Sequence, residues 1–249
     1  MPTSRPTDQD SGGTFRWSLT AAGSFSIYDS ERQRNATPRS RKARAILAYL
    51  SSRPRAHVSR EKIAELLWGN RAEPQAKASL RQALLDIRRA APGQPSLICS
   101  DRGHLWINEA AVEVIFDTST NGGGDFMPFE DLDHISAEFD HWLEIERSRR
   151  SREAAAELRR EAEEKLEAGE AGSALEIIES AWRFDPYEED ALRLALQAEY
   201  QAGHPAAIEQ RFQAMVDLLR NDLGVEPAAE TRTLHDRLVA ELRNRKESA

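Results

Sequence analysis

The sequence predicts a chain that is mainly α with a small β component: an N-terminal winged helix-turn-helix domain followed by an all-α, TPR-like helical repeat domain. Three observations predict it. Up to residue 107 the periodic segments run strand material, three amphipathic helices, then a short strand pair, which is the order of a winged helix. The charge is divided, with 18 Lys+Arg against 10 Asp+Glu in residues 1–110 and 16 against 32 in residues 111–249, so the net of −8 hides +8 joined to −16. Gly169 and Gly203 stand 34 residues apart, the period of tetratricopeptide helical hairpins.

At 249 residues the chain has the length of two ordinary domains. Residues 1–14 (MPTSRPTDQDSGGT) read as a disordered arm, rich in Pro, Ser, Thr and Gly. Residues 15–116 form the basic winged-helix domain. Trp17-Ser18-Leu19-Thr20 and Phe25-Ser26-Ile27-Tyr28 alternate apolar and polar residues around Gly23, which predicts a hairpin. The first helix takes Thr37 as N-cap and Pro38 as first residue, with Ala43, Ile46, Leu47 and Leu50 on its inner stripe. The second opens at Ser59, carries Ile63, Leu66 and Leu67, and stops at Trp68-Gly69. The third runs from Pro74 to about Ala90 on a stripe of Leu80, Leu84 and Ile87, and Pro92-Gly93 ends it. Leu97–Cys99 and Leu105–Ile107 are short strands about a turn at Ser100–His104, with Cys99 in buried packing.

Residues 117–128 hold Gly122, Gly123 and Gly124 and read as a flexible linker. Residues 129–243, rich in Ala, Leu, Glu and Arg, are the helical repeat domain, and 244–249 a charged tail that frays beyond Leu242. Its long first helix spans about Ser136 to Ala168. Asp185-Pro186-Tyr187-Glu188 has the pattern of a capping box, and Pro205 and Pro227 open further helices. Ala174 and Ile208 share one offset from the paired glycines. Trp142, Trp182, Phe184 and Tyr187 are expected to pack in the core. Asp131-Leu132-Asp133-His134 reads as a solvated acidic turn.

Composition also excludes. No apolar run approaches the ~18–20 residues of a membrane span, and Met1–Gly13 has no apolar signal segment. The single cysteine rules out an internal disulfide or a Cys-based zinc site. There is no phosphate-binding P-loop, no H-E-x-x-H, and no defensible Ser/His/Asp set, so neither an enzyme nor a cofactor is expected. With no receiver-sized segment before residue 15, phosphorelay control within this chain is not expected. A soluble cytoplasmic protein without membrane contact is the simplest reading.

The basic domain has the chemistry of a DNA reader. Residues 32–102 hold 16 basic and 5 acidic side chains. If the third helix buries Leu80, Leu84 and Ile87, Lys77, Arg81 and Arg88 lie along its exposed side and Ala78, Gln82 and Arg89 form the next row. Arg and Lys donate to guanine O6/N7 and Gln pairs with adenine, while small Ala78 and Ser79 let the backbone come close. Arg102, at the hairpin tip, is a candidate for a minor groove or a phosphate. Arg41 and Lys42, with Arg39 and Arg44, cluster at the first helix and are expected to position on phosphate rather than to specify. Double-stranded DNA is the expected partner.

The runs Arg41–Leu50, Val58–Gly69 (VSREKIAELLWG) and Ala78–Arg89 (ASLRQALLDIRR) resemble the winged-helix domain, of OmpR/PhoB type, of the SARP-type transcriptional activators. Phe139–Arg147 (FDHWLEIER), Asp185–Glu189 and Asp222–Pro227 with Glu230, Thr231 and Leu234 resemble the bacterial transcriptional activator domain that follows it in the same family, and the combined likeness covers about residues 15–240. Relatives usually carry an additional helical stretch between wing and W-L-x-x-E-R helix, where segment 117–128 is short. The resemblance implies an activator that binds promoter direct repeats as a homodimer, with the third helix in the major groove, residues 97–107 as the wing, and RNA polymerase as a protein partner. The alternative is a helical-repeat adaptor whose winged helix contacts proteins.

Overall fold

A computed structural model describes residues 15–21, 23–116 and 127–247. The expected arm at 1–14 and residues 117–126 of the expected linker lie outside the described residues. Contacts divide the chain into two compact units, and Met127–Glu144 joins the first of them while the second begins at Ile145.

In the first unit, β1 (Trp17–Thr20) and β2 (Ser26–Asp29) form the expected hairpin, with Trp17 opposite Asp29 and Gly23 at φ +68 in the turn. Sequence periodicity did not reveal β3 (Arg34–Asn35) or β7 (Val112–Ile115). They complete a four-stranded sheet of order β3-β2-β1-β7, in which β7 runs parallel to β1. Helix α1 is Arg41–Ser51, and its N-cap is Ser40 rather than Thr37. The physical reason is that the Thr37 hydroxyl is taken, accepting the Ile27 N–H at 2.8 Å and so tying this loop to β2. Helices α2 (Arg60–Trp68) and α3 (Glu73–Ala90) follow as expected, with Ser59 capping α2 through the Lys62 N–H. Gly69 ends α2 in ordinary right-handed geometry. Glycine is needed there because a Cβ would stand 2.7 Å from the Glu65 carbonyl oxygen.

A second sheet, of order β4-β6-β5, is built from β4 (Val58–Ser59), β5 (Ile98–Ser100) and β6 (His104–Ile107). The hairpin expected at 97–107 is thus also paired to the strand that leads into α2. Cys99 is half-buried, opposite Trp106, and not enclosed as expected, because alternate residues of this edge strand face outward.

The core of this unit joins Trp17, Leu19 and Ile27 to Ile46, Leu47 and Leu50 of α1, Ile63 and Leu67 of α2, Leu80 and Ile87 of α3, and Leu97 and Leu105. Phe129, Leu132, Phe139 and Trp142 belong to the same core. The Phe129 and Glu130 N–H groups donate to the carbonyls of Ala21 and Gly23, at 3.0 and 2.9 Å. Asp131 is not in a solvated turn: its carboxylate pairs with Arg44 and accepts the Phe25 N–H. Helix α4 (Ala137–Glu167) starts against this unit, where the Ser136 hydroxyl accepts the Phe139 N–H and donates to the Leu66 carbonyl at 2.6 Å. Trp142 meets Tyr49 edge-on at 4.9 Å between ring centroids, and the Arg53 guanidinium lies over both rings.

The second unit holds α4 from Ile145, then α5 (Ala171–Ala181), α6 (Glu189–Ala202), α7 (Pro205–Leu218) and α8 (Ala229–Glu247). Neighbouring helices pack as antiparallel hairpins, and small residues such as Ala162, Ala174, Ala191 and Ala195 let the first of them approach closely. The 34-residue repeat is real in the backbone. Gly169 (φ +79) and Gly203 (φ +76) each donate to the carbonyl three residues back, at Leu166 and Tyr200. The next residues, Glu170 and His204, each donate five back, to Lys165 and Glu199. This is the same Schellman cap used twice. Ala174 and Ile208, at matching offsets, are both fully buried.

Asp185 does not cap α6. Its carboxylate accepts the Tyr187 N–H in a tight turn and Glu188 occupies the cap position, held to Arg159 at 2.7 Å. Pro227 stands two residues ahead of α8, and the Ala228 N–H between them donates to the Glu189 carboxylate. The helix continues past Leu242 to Glu247, because the Glu, Arg and Lys that made this stretch look like a tail are good helix formers. Trp142 is buried as expected, whereas Trp182, Phe184 and Tyr187 are half-buried.

Candidate nucleic-acid interface

Helix α3 presents two faces. Ala76, Leu80, Ala83 and Ile87 are buried at helical spacing, and Leu84 is partly covered beside them. The outer face carries Lys77, Ala78, Arg81, Gln82, Leu85, Arg88 and Arg89, all exposed. The expected site residues of this helix therefore share one surface. Arg81 and Arg88 make no hydrogen bond or ion pair among the described residues, so their guanidinium groups are available to a ligand. Lys77 is bonded to Glu73 one turn back, and that carboxylate raises its pKa above the ordinary lysine range. Gln82 donates to Asp86 at 3.0 Å, and Arg89 lies 3.9 Å from the same carboxylate. Ser79 is half-buried and accepts from Arg71 at 3.1 Å.

The wing is held firmly at its base. Ser59 pairs with His104, and the Arg60 N–H donates to the Gly103 carbonyl at 2.8 Å. Within the turn, the Asp101 carboxylate accepts the N–H groups of Gly103 and His104, at 2.7 and 2.6 Å, and these bonds hold its pKa below the usual carboxylate range. Arg102 projects from this turn, exposed and with no partner among the described residues. A groove between α3 and the wing is lined by Leu84, Arg88, Cys99 and Trp106.

Other cations of the basic region serve the fold. Arg41 donates to the carbonyls of Asp131 and Asp133. Lys42 donates to the Leu67 carbonyl and lies over the Trp68 ring, and burial, reinforced by Arg71, lowers its pKa. Both side chains thus hydrogen-bond to carbonyls of their own unit, Arg41 from an exposed position and Lys42 from a half-buried one. Arg16, Arg32 and Arg34 reach from the first sheet to the carbonyls of Ala90 and Pro92 at the C-terminal end of α3, at 3.1 to 3.2 Å. They meet the negative end of the helix dipole. Sequence reasoning did not single out Arg60, Arg71 or Leu85. Arg60 and Arg71 sit at helix boundaries where periodicity assigns no face, and Leu85 is hidden in the run Leu84-Leu85.

The bacterial transcriptional activator domain family matches residues 128–239. No curated protein sequence matches the chain significantly. Among solved structures, Mycobacterium tuberculosis EmbR, described in complex with a low-affinity phosphopeptide, aligns with a TM-score of 0.72 at 16% identity over 91% of this chain. The likeness is one of fold, and the chain spans 65% of the length of that relative. Among the described residues no helix is long and apolar enough to cross a membrane. The matched family is one of transcription regulators and not of enzymes. Residues 128–239 thus match the bacterial transcriptional activator domain, behind a unit of winged helix-turn-helix fold, which makes the chain similar to the SARP-type transcriptional regulators.

Proposed function

We propose that this regulator binds duplex promoter DNA sequence-specifically, with α3 in the major groove and the wing beside it. The observation that carries the reading is the outer face of α3, where Arg81 and Arg88 extend without internal partners from a helix whose opposite face is packed into the core. Arg81, Gln82 and Arg88 read base edges, assisted by Lys77 and Arg89, and Ala78 and Ser79 allow close approach. Arg102 contacts the minor groove or a phosphate, with Arg41 and Lys42 at most secondary. The protein works in the cytoplasm, as an activator, by binding direct repeats as a homodimer and contacting RNA polymerase through its helical unit.

The test is a selection of bound sequences from random duplex DNA with the full-length protein. Half-sites in direct orientation, spaced near one helical turn, are the expected result. The logarithm of the affinity for the selected site should fall linearly with the logarithm of salt concentration. Recovery of unselected sequence, with binding lost at modest salt, would leave only charge attraction and favour the adaptor reading.

A further inference from the structure

The outer face of α3 has an apolar centre. At roughly 100° per residue the buried positions Ala76, Leu80, Ala83 and Ile87 cluster about one direction. Ala78 and Leu85 both fall within about 20° of the opposite direction. Arg81 and Arg88 flank that line on one side, Gln82 and Arg89 on the other. Leu85 is 43% exposed, a large apolar side chain at the position farthest from the core and ringed by hydrogen-bonding groups. Isolated exposed leucines are common on protein surfaces. This one occupies the line that a helix in the major groove brings nearest the base edges.

Resting on the DNA-reading function proposed above, the geometry points to Leu85 as a specificity-determining residue that reads a thymine through its C5-methyl group. The chemistry is selective. In the major groove only thymine, among the four bases, offers an apolar group, and an aliphatic side chain gains by covering it while it desolvates a cytosine amino group or a guanine O6 at a cost. The smaller Ala78, about 10 Å away along the same line, stands roughly three base-pair steps from it. Leu85 therefore reads a different base from the one Ala78 approaches, between the bases engaged by the flanking arginines.

The experiment measures full-length protein on its selected site, with each thymine replaced in turn by uracil. Uracil removes the methyl and leaves every hydrogen-bonding group in place. At one position the loss should weaken wild-type binding about fourfold, the worth of burying one methyl group. Leu85→Ala, with an unchanged thermal transition, should bind the thymine and uracil duplexes equally. If a site is enriched but no uracil substitution weakens binding, or Leu85→Ala suffers the same loss as wild type, the Leu85 assignment fails and DNA reading stands. If no site is enriched, the function proposed above fails and the assignment falls with it.

Discussion

At the scale of single residues, charge is a poor guide to where a ligand sits. The basic region looks uniformly suited to a polyanion, yet its cations divide by what lies within reach. Arg41, Lys42, Arg44, Arg32 and Arg34 end on carbonyls or on Asp131, and Arg81, Arg88 and Arg102 end in solvent. Arg81→Ala should cost about 1–3 kcal/mol in specific binding and relax the preference at one base. Titrating the selected site and its single-base variants by fluorescence anisotropy checks both effects, and unchanged affinity and preference would remove Arg81 from the readout. Asp101 gives a second prediction, at the wing. Its pKa is depressed because two backbone N–H groups favour the carboxylate, so the turn it organises is fully supported above the ordinary carboxylate pKa. That support is lost only as pH falls through the depressed folded value. In a pH series of amide spectra, Gly103 and His104 should hold their shifts through the usual Asp range and move together below it.

At the scale of elements, the helices and the two expected hairpins were legible, and the strands that complete the sheets were not. Helices α2 and α3 declare themselves through long apolar stripes, a serine cap and a proline in the first turn, all local signals. Strands β3, β4 and β7 are two to four residues long, and β4 and β7 pair with strands far away in sequence, so no local period marks them. The caps show the same limit. Thr37 and Asp185 have the right chemistry for an N-cap, but each carries out a different local hydrogen bond. The site was legible to the same degree: the helical phase placed Arg81, Gln82 and Arg88 on one surface, but could not show that Arg41 and Lys42 hydrogen-bond to carbonyls of their own unit. The repeated glycines are a case where spacing did report geometry. At Gly203 a Cβ would meet nothing within 4 Å, so the cost of Gly203→Ala is the left-handed backbone alone. It should destabilise the helical unit by about 1–2 kcal/mol in urea unfolding. Gly169→Ala should cost the same, since its cap is the same, and a clearly unequal pair would contradict the equivalence.

At the scale of the whole molecule, the boundary of the activator domain by sequence similarity and the boundary of the folded units do not coincide. The family match begins at residue 128, yet residues 127–144 complete the core of the winged-helix unit. Phe129, Leu132, Phe139 and Leu143 are almost wholly buried there, and Trp142 nearly so. Each fully buried side chain of this kind is worth about 1.5–3 kcal/mol. A fragment ending at residue 116 should therefore melt at a much lower temperature than one ending at 144, or fail to melt cooperatively. Equal transitions in calorimetry would show that the segment adds nothing.

The segment that begins the activator domain thus carries half of a packing agreement whose other half lies in α1 and α2. Tyr49, Arg53 and Leu66 face Trp142 and Ser136 across it, and Arg44 faces Asp131. A chimera joined at the glycine-rich segment, the break that sequence suggests, would ask one regulator's helices to accept another's aromatic residues. A chimera of this chain keeps both halves of that packing only with the joint placed beyond Glu144, so residues 41–66 and 129–143 have to be transferred together.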